Sequence, residues 1–439
     1  MRGEIPTTNP GTFPFLTDLD SRAAIKGSRD PLGLVPLWSL FGRRVVGNLT
    51  TVTGSLRGFT TTLLGYHFAS EVQEREGETA LGLFMKFEQL AAYCRYLVRK
   101  DSGFRGIERV KKALGESDVV TLSARPEYQI LGNQKIYGLW GLFSVPSRSS
   151  GLLERDEVLT LAAQEFVRKQ YLTALSREGF REGREIVELL RQRQVKVHLG
   201  GKHSGLAKAL ARVLDPKVSA AEREFYREHL AFGGPQDSTE GRQRQLAGLL
   251  GLHSNGMAFD RHELRAVIKE AARLGKAGVP LASDLRRIDH LESVLVPADS
   301  LFGFLQARHG QTVRSVADKV AKEWGPLKSV DAGAFRELQS QVAAAFDEPS
   351  AGERWTRVAE GLAAGKYGDV FALLLDHNAF VMRSRNGSEP WVRVANGRLD
   401  VRFRDEAAEL PGRRELPNLW RNNYFLNPLK EVVMTLGGA

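Results

Sequence analysis

Apolar residues recur at three- and four-residue spacing through most of the chain, the pattern of helices that bury one face. The clearest run is 78–100, where Leu81, Phe84, Phe87, Leu90, Cys94, Leu97 and Val98 share a side. Ahead of it, a polar turn from Gly47 to Thr53 leads into a helix through Leu56, Phe59, Leu63 and Phe68. Further helices are expected around 183–197, 204–214, 219–230, 240–252, 261–274, 283–295, 311–324 and 332–346, then 351–364, 368–376 and 426–436. Helices this short are stable only when packed on one another. No fixed repeat length connects them, which argues against a solenoid.

Two stretches break the helical pattern. Residues 104–175 read as helix, short strand, helix, hairpin, helix, with the strand at 128–131 and the hairpin formed by Leu152, Leu153 and 158–161 about the charged tip 154–157. A helix running into a two-stranded wing is the order of a winged helix. Near the C-terminus, Asn396-Gly397 separates two short runs, the second alternating from Arg398 to Phe403, and Asn-Gly favours the primed turns of hairpins. The fold class is therefore mainly α with small β elements (α+β). Four regions are expected: an N-terminal arm and helical region (1–103), a winged-helix-like module (104–180), a helical domain (181–350) and a C-terminal α+β region with an Arg-rich hairpin (351–439). Within the first, 1–35 is rich in Pro, Gly, Thr and Asp and reads as an extended arm or loop.

Composition narrows the class. Of 439 residues, 42% are hydrophobic and 26% charged, which excludes disorder as the main state. The longest apolar runs, such as Val370 to Leu375, fall far short of the roughly 18–20 residues of a membrane span. Pro6, Pro10 and Pro14 interrupt the first residues, so no secretory signal is read and a cytoplasmic location is expected. The single cysteine cannot form an intrachain disulfide or a Cys-rich zinc site, and its place on an apolar face makes it a core thiol. Net charge is +10, unevenly spread: residues 1–250 hold 36 basic and 28 acidic side chains, residues 251–439 only 26 and 24. A polyanion such as DNA would gain most from the N-terminal half, because neutralising phosphates releases counterions.

The candidate nucleic-acid contacts follow from that charge. Arg43, Arg44, Arg57, Lys111, Lys112, Arg125 and Arg148 surround the winged-helix candidate, and Arg383, Arg385, Arg393 and Arg398 flank or occupy the C-terminal hairpin beside Trp391 and Phe403. Basic groups interleaved with aromatics suit phosphate contact and stacking. A solvated sheet face with Trp391 in the core fits that hairpin equally well. The nine histidines show neither His-x-His nor His-Glu-x-x-His spacing, so no metal or other cofactor is expected. Gly200-Gly201-Lys202-His203-Ser204 opens a helix and offers an anion contact, although the spacing is not that of a P-loop and a simple loop with Ser204 as cap fits better. An alternative is a metal-dependent nuclease using Asp376, His377, Glu389 and Asp400; these lack the lysine that a restriction-type site places after its second carboxylate. A pure protein–protein scaffold is the third reading.

The run Asp30-Pro31-Leu32-Gly33, then Trp38, Phe41-Gly42, Asn48 to Thr53 and Arg57-Gly58-Phe59, resembles the opening of uncharacterised bacterial defence-island accessory proteins. The stretch from Gly138 to Phe166 is similar in the same way, and together these cover about a third of the chain. The resemblance brings no catalytic residues. It implies an anti-phage or anti-plasmid accessory role, and the N-terminal charge surplus, the winged-helix order and the lack of a recognisable active site lead to the expectation of a DNA-associated, non-catalytic component that binds nucleic acid and other proteins of the same operon.

Overall fold

The computed structural model describes residues 30–76, 79–253, 258–385, 389–405 and 407–437; the expected N-terminal arm lies outside the described residues up to position 29. The chain is mainly helical with two small antiparallel two-stranded sheets. Its first half runs α1 (Leu34–Gly42), α2 (Leu56–Glu76), α3 (Ala80–Arg99), α4 (Ile107–Glu116), β1 (Val119–Ser123), α5 (Gln134–Tyr137), α6 (Leu139–Ser149), α7 (Leu161–Phe166), α8 (Thr173–Arg177), α9 (Arg184–Arg191), β2 (Gln194–His198), α10 (Ser204–Val213) and α11 (Ala220–Tyr226). Then come α12 (Arg242–His253), α13 (Arg261–Arg273), α14 (Val279–Gln306), α15 (Val313–Trp324), α16 (Ala332–Arg336), α17 (Gln339–Phe346), α18 (Pro349–Ala364), α19 (Tyr367–Ser384), β3 (Val392–Ala395), β4 (Arg398–Val401) and α20 (Leu426–Thr435). Among the described residues, no helix is long and apolar enough to cross a membrane.

The described residues form two compact units, each discontinuous in sequence. The larger draws on Phe41–Phe259, Glu263–Leu285 and the segment from Asn423 onward; the smaller draws on residues up to Leu40, Asp260–His262 and Arg286–Asn422. The expected boundaries at 103, 180 and 350 therefore fall inside units rather than between them.

In the larger unit α3 is the central helix, packed by α2, α10 and β1. Thr79 caps its first turn by accepting from the Gly82 N–H at 3.3 Å. Every residue from Gly82 to Arg95 is buried, so the helix is enclosed on all sides rather than only along its apolar stripe. Its buried polar groups are bonded, as desolvation requires. Lys86 donates to the carbonyls of Leu190 and Gln192, and Gln89 exchanges two bonds of 2.9 and 3.0 Å with the backbone of Ser123. Cys94 is fully buried, and burial raises its thiol pKa, which suppresses the reactive thiolate.

The winged-helix arrangement is not confirmed. The expected strand at 128–131 begins in a 3-10 turn, Pro126–Tyr128. The strand of this region is instead β1, and it pairs with β2, some seventy residues on and outside the 104–175 segment, in the register Val119↔His198 to Ser123↔Gln194. The hairpin about 154–157 is reduced to one bridge, Leu153↔Leu159. β2 also corrects the single helix expected over 183–197: Gln194, Lys196 and His198 face solvent while Val195 and Val197 are buried, a period of two.

In the smaller unit the Asn-Gly hairpin is present. Asn396 and Gly397 have φ of 52° and 74°, the two left-handed residues of a type I′ turn, and β3 pairs with β4 around them. Helix α19 continues to Ser384, so His377 is helical, and α14 passes through Pro297, where the sequence suggests a stop.

Candidate functional site

The β1–β2 ribbon presents a polar, basic face. Its buried side chains, Val120, Leu122, Val195 and Val197, line the face opposite Gln194, Lys196 and His198. Arg193 precedes β2, Lys202 lies in the turn after it and Arg125 follows β1; all three are exposed. Among the described residues, Arg125, Arg193, Lys196 and Lys202 form no ion pair, so their charge is available to a ligand. Helix α4, which contacts β1, carries exposed Lys111 and Lys112; Lys111 pairs with Glu108 at 3.1 Å. The turn after β2 is held by His203, whose Nδ1 accepts from the His198 N–H at 3.0 Å. The cap position of α10 is His203, and Ser204 is its first helical residue. The Asp118 carboxylate packs against Gly200, where a Cβ would collide with its Oδ2, so this loop already has an acidic neighbour.

The other sequence candidates divide by what their charges already meet. Arg57 is buried, with Nη1 2.5 Å from Glu222 Oε1 and Nη2 donating to the Lys217 carbonyl at 2.8 Å. Arg43 Nη1 donates to the carbonyls of Gly47 and Leu49 at 3.0 and 2.6 Å, and its guanidinium lies 3.7 Å from the Phe425 ring centre. Arg44 pairs with Asp284 at 2.7 Å. Arg148 lines a wide depression with Arg155, Glu154 and Asp156, where both signs are present. In the smaller unit, Arg385 donates to the Asp30 carbonyl at 2.6 Å, and Arg393 is neutralised across the hairpin by Asp400 at 2.8 Å. Arg398 donates to the Gly310 carbonyl at 2.8 Å, and Trp391 packs against Phe403 with ring centres 4.6 Å apart and planes tilted by 39°. Arg383 is exposed on α19. The hairpin thus presents much of its charge already paired.

The residues of the nuclease alternative are not brought together. Asp376 is paired with Arg354 at 3.0 Å, Glu389 with Arg393 at 3.9 Å and Asp400 with Arg393. His377 is buried one residue, about 100° of helix, from Asp376, with Nε2 3.0 Å from the Leu32 carbonyl and Nδ1 3.2 Å from Arg354 Nη1. Trp355 Nε1 also donates towards Nε2 at 3.2 Å, so the ring sits between two donors, Arg354 and Trp355, and one acceptor, the Leu32 carbonyl. Burial pushes this imidazole down to about 3, with Arg354 adding to the effect, which keeps it neutral. Among the described residues, no three His, Cys, Asp or Glu side chains converge in a way that could hold a metal ion.

Two arrangements in the larger unit have no sequence signal. Around Glu222, Tyr171 donates to Oε1 at 2.9 Å and lies 3.0 Å from the Tyr226 hydroxyl, which is 2.9 Å from Thr60. The π-helical turn Val167–Leu172 carries Tyr171, and a second, Arg227–Ala231, follows Tyr226 directly. The other is a cavity of about 260 Å³ between α2, α3 and α6. At its wall the buried Glu88 carboxyl accepts from the Leu139 N–H and from Gln134 Nε2, each at 2.8 Å. The first bond caps the N-terminus of α6, an end that favours negative charge. Gly138 permits the approach, since a Cβ there would lie 2.8 Å from Glu88 Oε2. Burial nonetheless pushes this carboxyl up to about 7. Glu88 and Arg95 lie on one side of α3, and the packing of α2, α6 and the 103–105 loop encloses them; no signal within the α3 sequence announces that enclosure. Comparison of the chain with family models, curated proteins and solved structures gives no match.

Proposed function

We propose that this chain is a DNA-associated, non-catalytic component of a bacterial multi-protein defence system, and that it meets nucleic acid through the solvent face of the β1–β2 ribbon. The observation that carries the reading is the group of exposed cations without ion pairs, Arg125, Arg193, Lys196 and Lys202, around a two-stranded antiparallel ribbon. A ribbon of this kind fits the major groove, which is about 12 Å wide. Unpaired Lys and Arg on its outer face would displace condensed counterions, the main source of non-specific affinity. Gln194 and Thr121 on the same ribbon add donors and acceptors able to reach phosphate or base edges. The reading does not need the winged helix expected over 104–175, and it moves the contact from Arg43, Arg44 and Arg57, which are engaged internally, to β2. The defence context rests on the sequence resemblance alone, and proteins encoded beside this chain are the proposed partners.

Fluorescence anisotropy with a labelled 30-base-pair duplex at low salt tests the proposal. Binding of the wild type, weakened at least about tenfold in an Arg193→Glu, Lys196→Glu, Lys202→Glu variant, is expected. All three sites are exposed, so the variant retains its fold. Absence of binding at 50 mM salt, or equal binding by the variant, would overturn the proposal.

A further inference from the structure

The cavity against Glu88 has the features of a small-molecule site. Two helical stripes build it. On α3, Glu88, Ala91, Ala92 and Arg95 fall at i, i+3, i+4 and i+7, one side of the helix. The paired alanines leave the hollow, and the two charged residues bracket it across about 10 Å of helix rise. Opposite, Gly58 and Thr61 of α2 form the second stripe. A Cβ at Gly58 would collide with the Phe143 ring, so glycine is what lets this ring close the wall. The volume, about 260 Å³, is just below the roughly 300–1,000 Å³ usual for ligand pockets and suits one ring system whose remainder reaches the mouth.

Polar groups at the two ends define the ligand. Each Glu88 oxygen accepts one protein hydrogen bond, so in the ionised form the carboxylate keeps one further acceptor site on each oxygen for a pair of adjacent N–H donors. Between the ends the walls are apolar and aromatic, with Ile130, Leu139, Phe143 and Phe104. At the mouth Arg95 is neutralised by Asp101 at 2.7 Å, whereas Arg105 is exposed and forms no ion pair among the described residues. An N–H pair at one end, a flat apolar body and an anion at the other describe a guanine nucleotide.

We propose that this cavity binds a free guanine mononucleotide, with the base edge on Glu88 and the phosphate at Arg105. Calorimetric titration of the full chain with GMP, guanosine, AMP and inorganic phosphate tests this. GMP gives saturable binding, and AMP, which lacks the adjacent N–H pair, binds at least about tenfold more weakly, a difference of about 1.4 kcal/mol. Arg105→Ala, at an exposed position, weakens GMP at least about tenfold and leaves guanosine unchanged. Glu88→Gln weakens both. The ribbon variant Arg193→Glu, Lys196→Glu, Lys202→Glu binds GMP like the wild type, so this test stands apart from that of DNA association. No saturable heat with GMP up to about 1 mM, or GMP binding indifferent to Arg105→Ala, overturns the proposal. Tighter binding of a 5′-phosphorylated trinucleotide than of GMP would do the same, because the ligand would then be a strand end.

Discussion

Replacing Glu88 with glutamine should remove a pH dependence that burial imposes on the larger unit. The carboxyl is pushed up from its ordinary 4.5 to about 7 by desolvation, which the Leu139 N–H and the Gln134 amide only partly offset. The folded chain therefore holds this proton more tightly than the unfolded chain. The resulting stability is fully present below pH 4.5 and is lost as pH rises through 7. At 1.36 kcal/mol per pKa unit the full effect is about 3 kcal/mol, of which about 2.5 kcal/mol falls between pH 5 and 8. For a unit of this size that is roughly 5–10 °C in Tm. A glutamine in its place does not titrate. The amide also cannot accept from both donors, a pH-independent cost of about 1–3 kcal/mol that leaves the slope unchanged. The charged groups facing the site are Arg95, already paired with Asp101, and Arg105 at the mouth, and both would pull the carboxyl down. Scanning calorimetry of wild type and Glu88→Gln at pH 5, 6, 7 and 8 should show the wild type losing Tm relative to the variant as pH rises. A difference constant with pH, or one of opposite sign, would refute the reasoning that desolvation outweighs these cations.

Two further outcomes concern the buried networks. His377, held down at about 3 by burial, refuses a proton that the unfolded chain takes near 6.5. Stability present above pH 6.5 is thus lost as pH falls, by about 2 kcal/mol at pH 5, and urea denaturation at pH 7.5 and 5 should show that loss in the wild type but not in His377→Gln. Equal acid losses in both would dismiss the buried neutral imidazole. Glu222→Gln strips the buried Arg57 guanidinium of its carboxylate and should cost roughly 3–5 kcal/mol. Adding Arg57→Met removes the orphaned charge, so the double variant should be more stable than Glu222→Gln alone; destabilisation equal to the sum of the two single variants would argue against a coupled pair.

What the sequence discloses follows from locality. The helices at 204–213, 261–273, 313–324 and 426–435 match their expected spans closely, because their period and end signals lie within the segment itself. Asn396-Gly397 specifies its own turn. Pairing of Val119–Ser123 with Gln194–His198 is non-local, and no signal within either strand names its partner. The same limit hides the sites. Arg57 and Glu88 look like surface charges in one dimension, and they become a buried ion pair and a cavity wall only when α6, α11 and the loop at 103–105 pack against their helices. A helical reading of 183–197 masks Lys196, although the two-residue alternation from Gln194 to His198 is visible in the sequence.

The salt dependence of duplex binding tests the central proposal most directly. Neutralising a phosphate contributes about 0.9 to the slope of log K against log salt, so removing three contacts should lower that slope by roughly 2.7. Anisotropy titrations between 50 and 200 mM salt are expected to show a steep slope for the wild type and one shallower by about that amount for the variant with Arg193, Lys196 and Lys202 reversed. Identical slopes for the two proteins, at whatever affinity, would contradict contact through the β1–β2 ribbon.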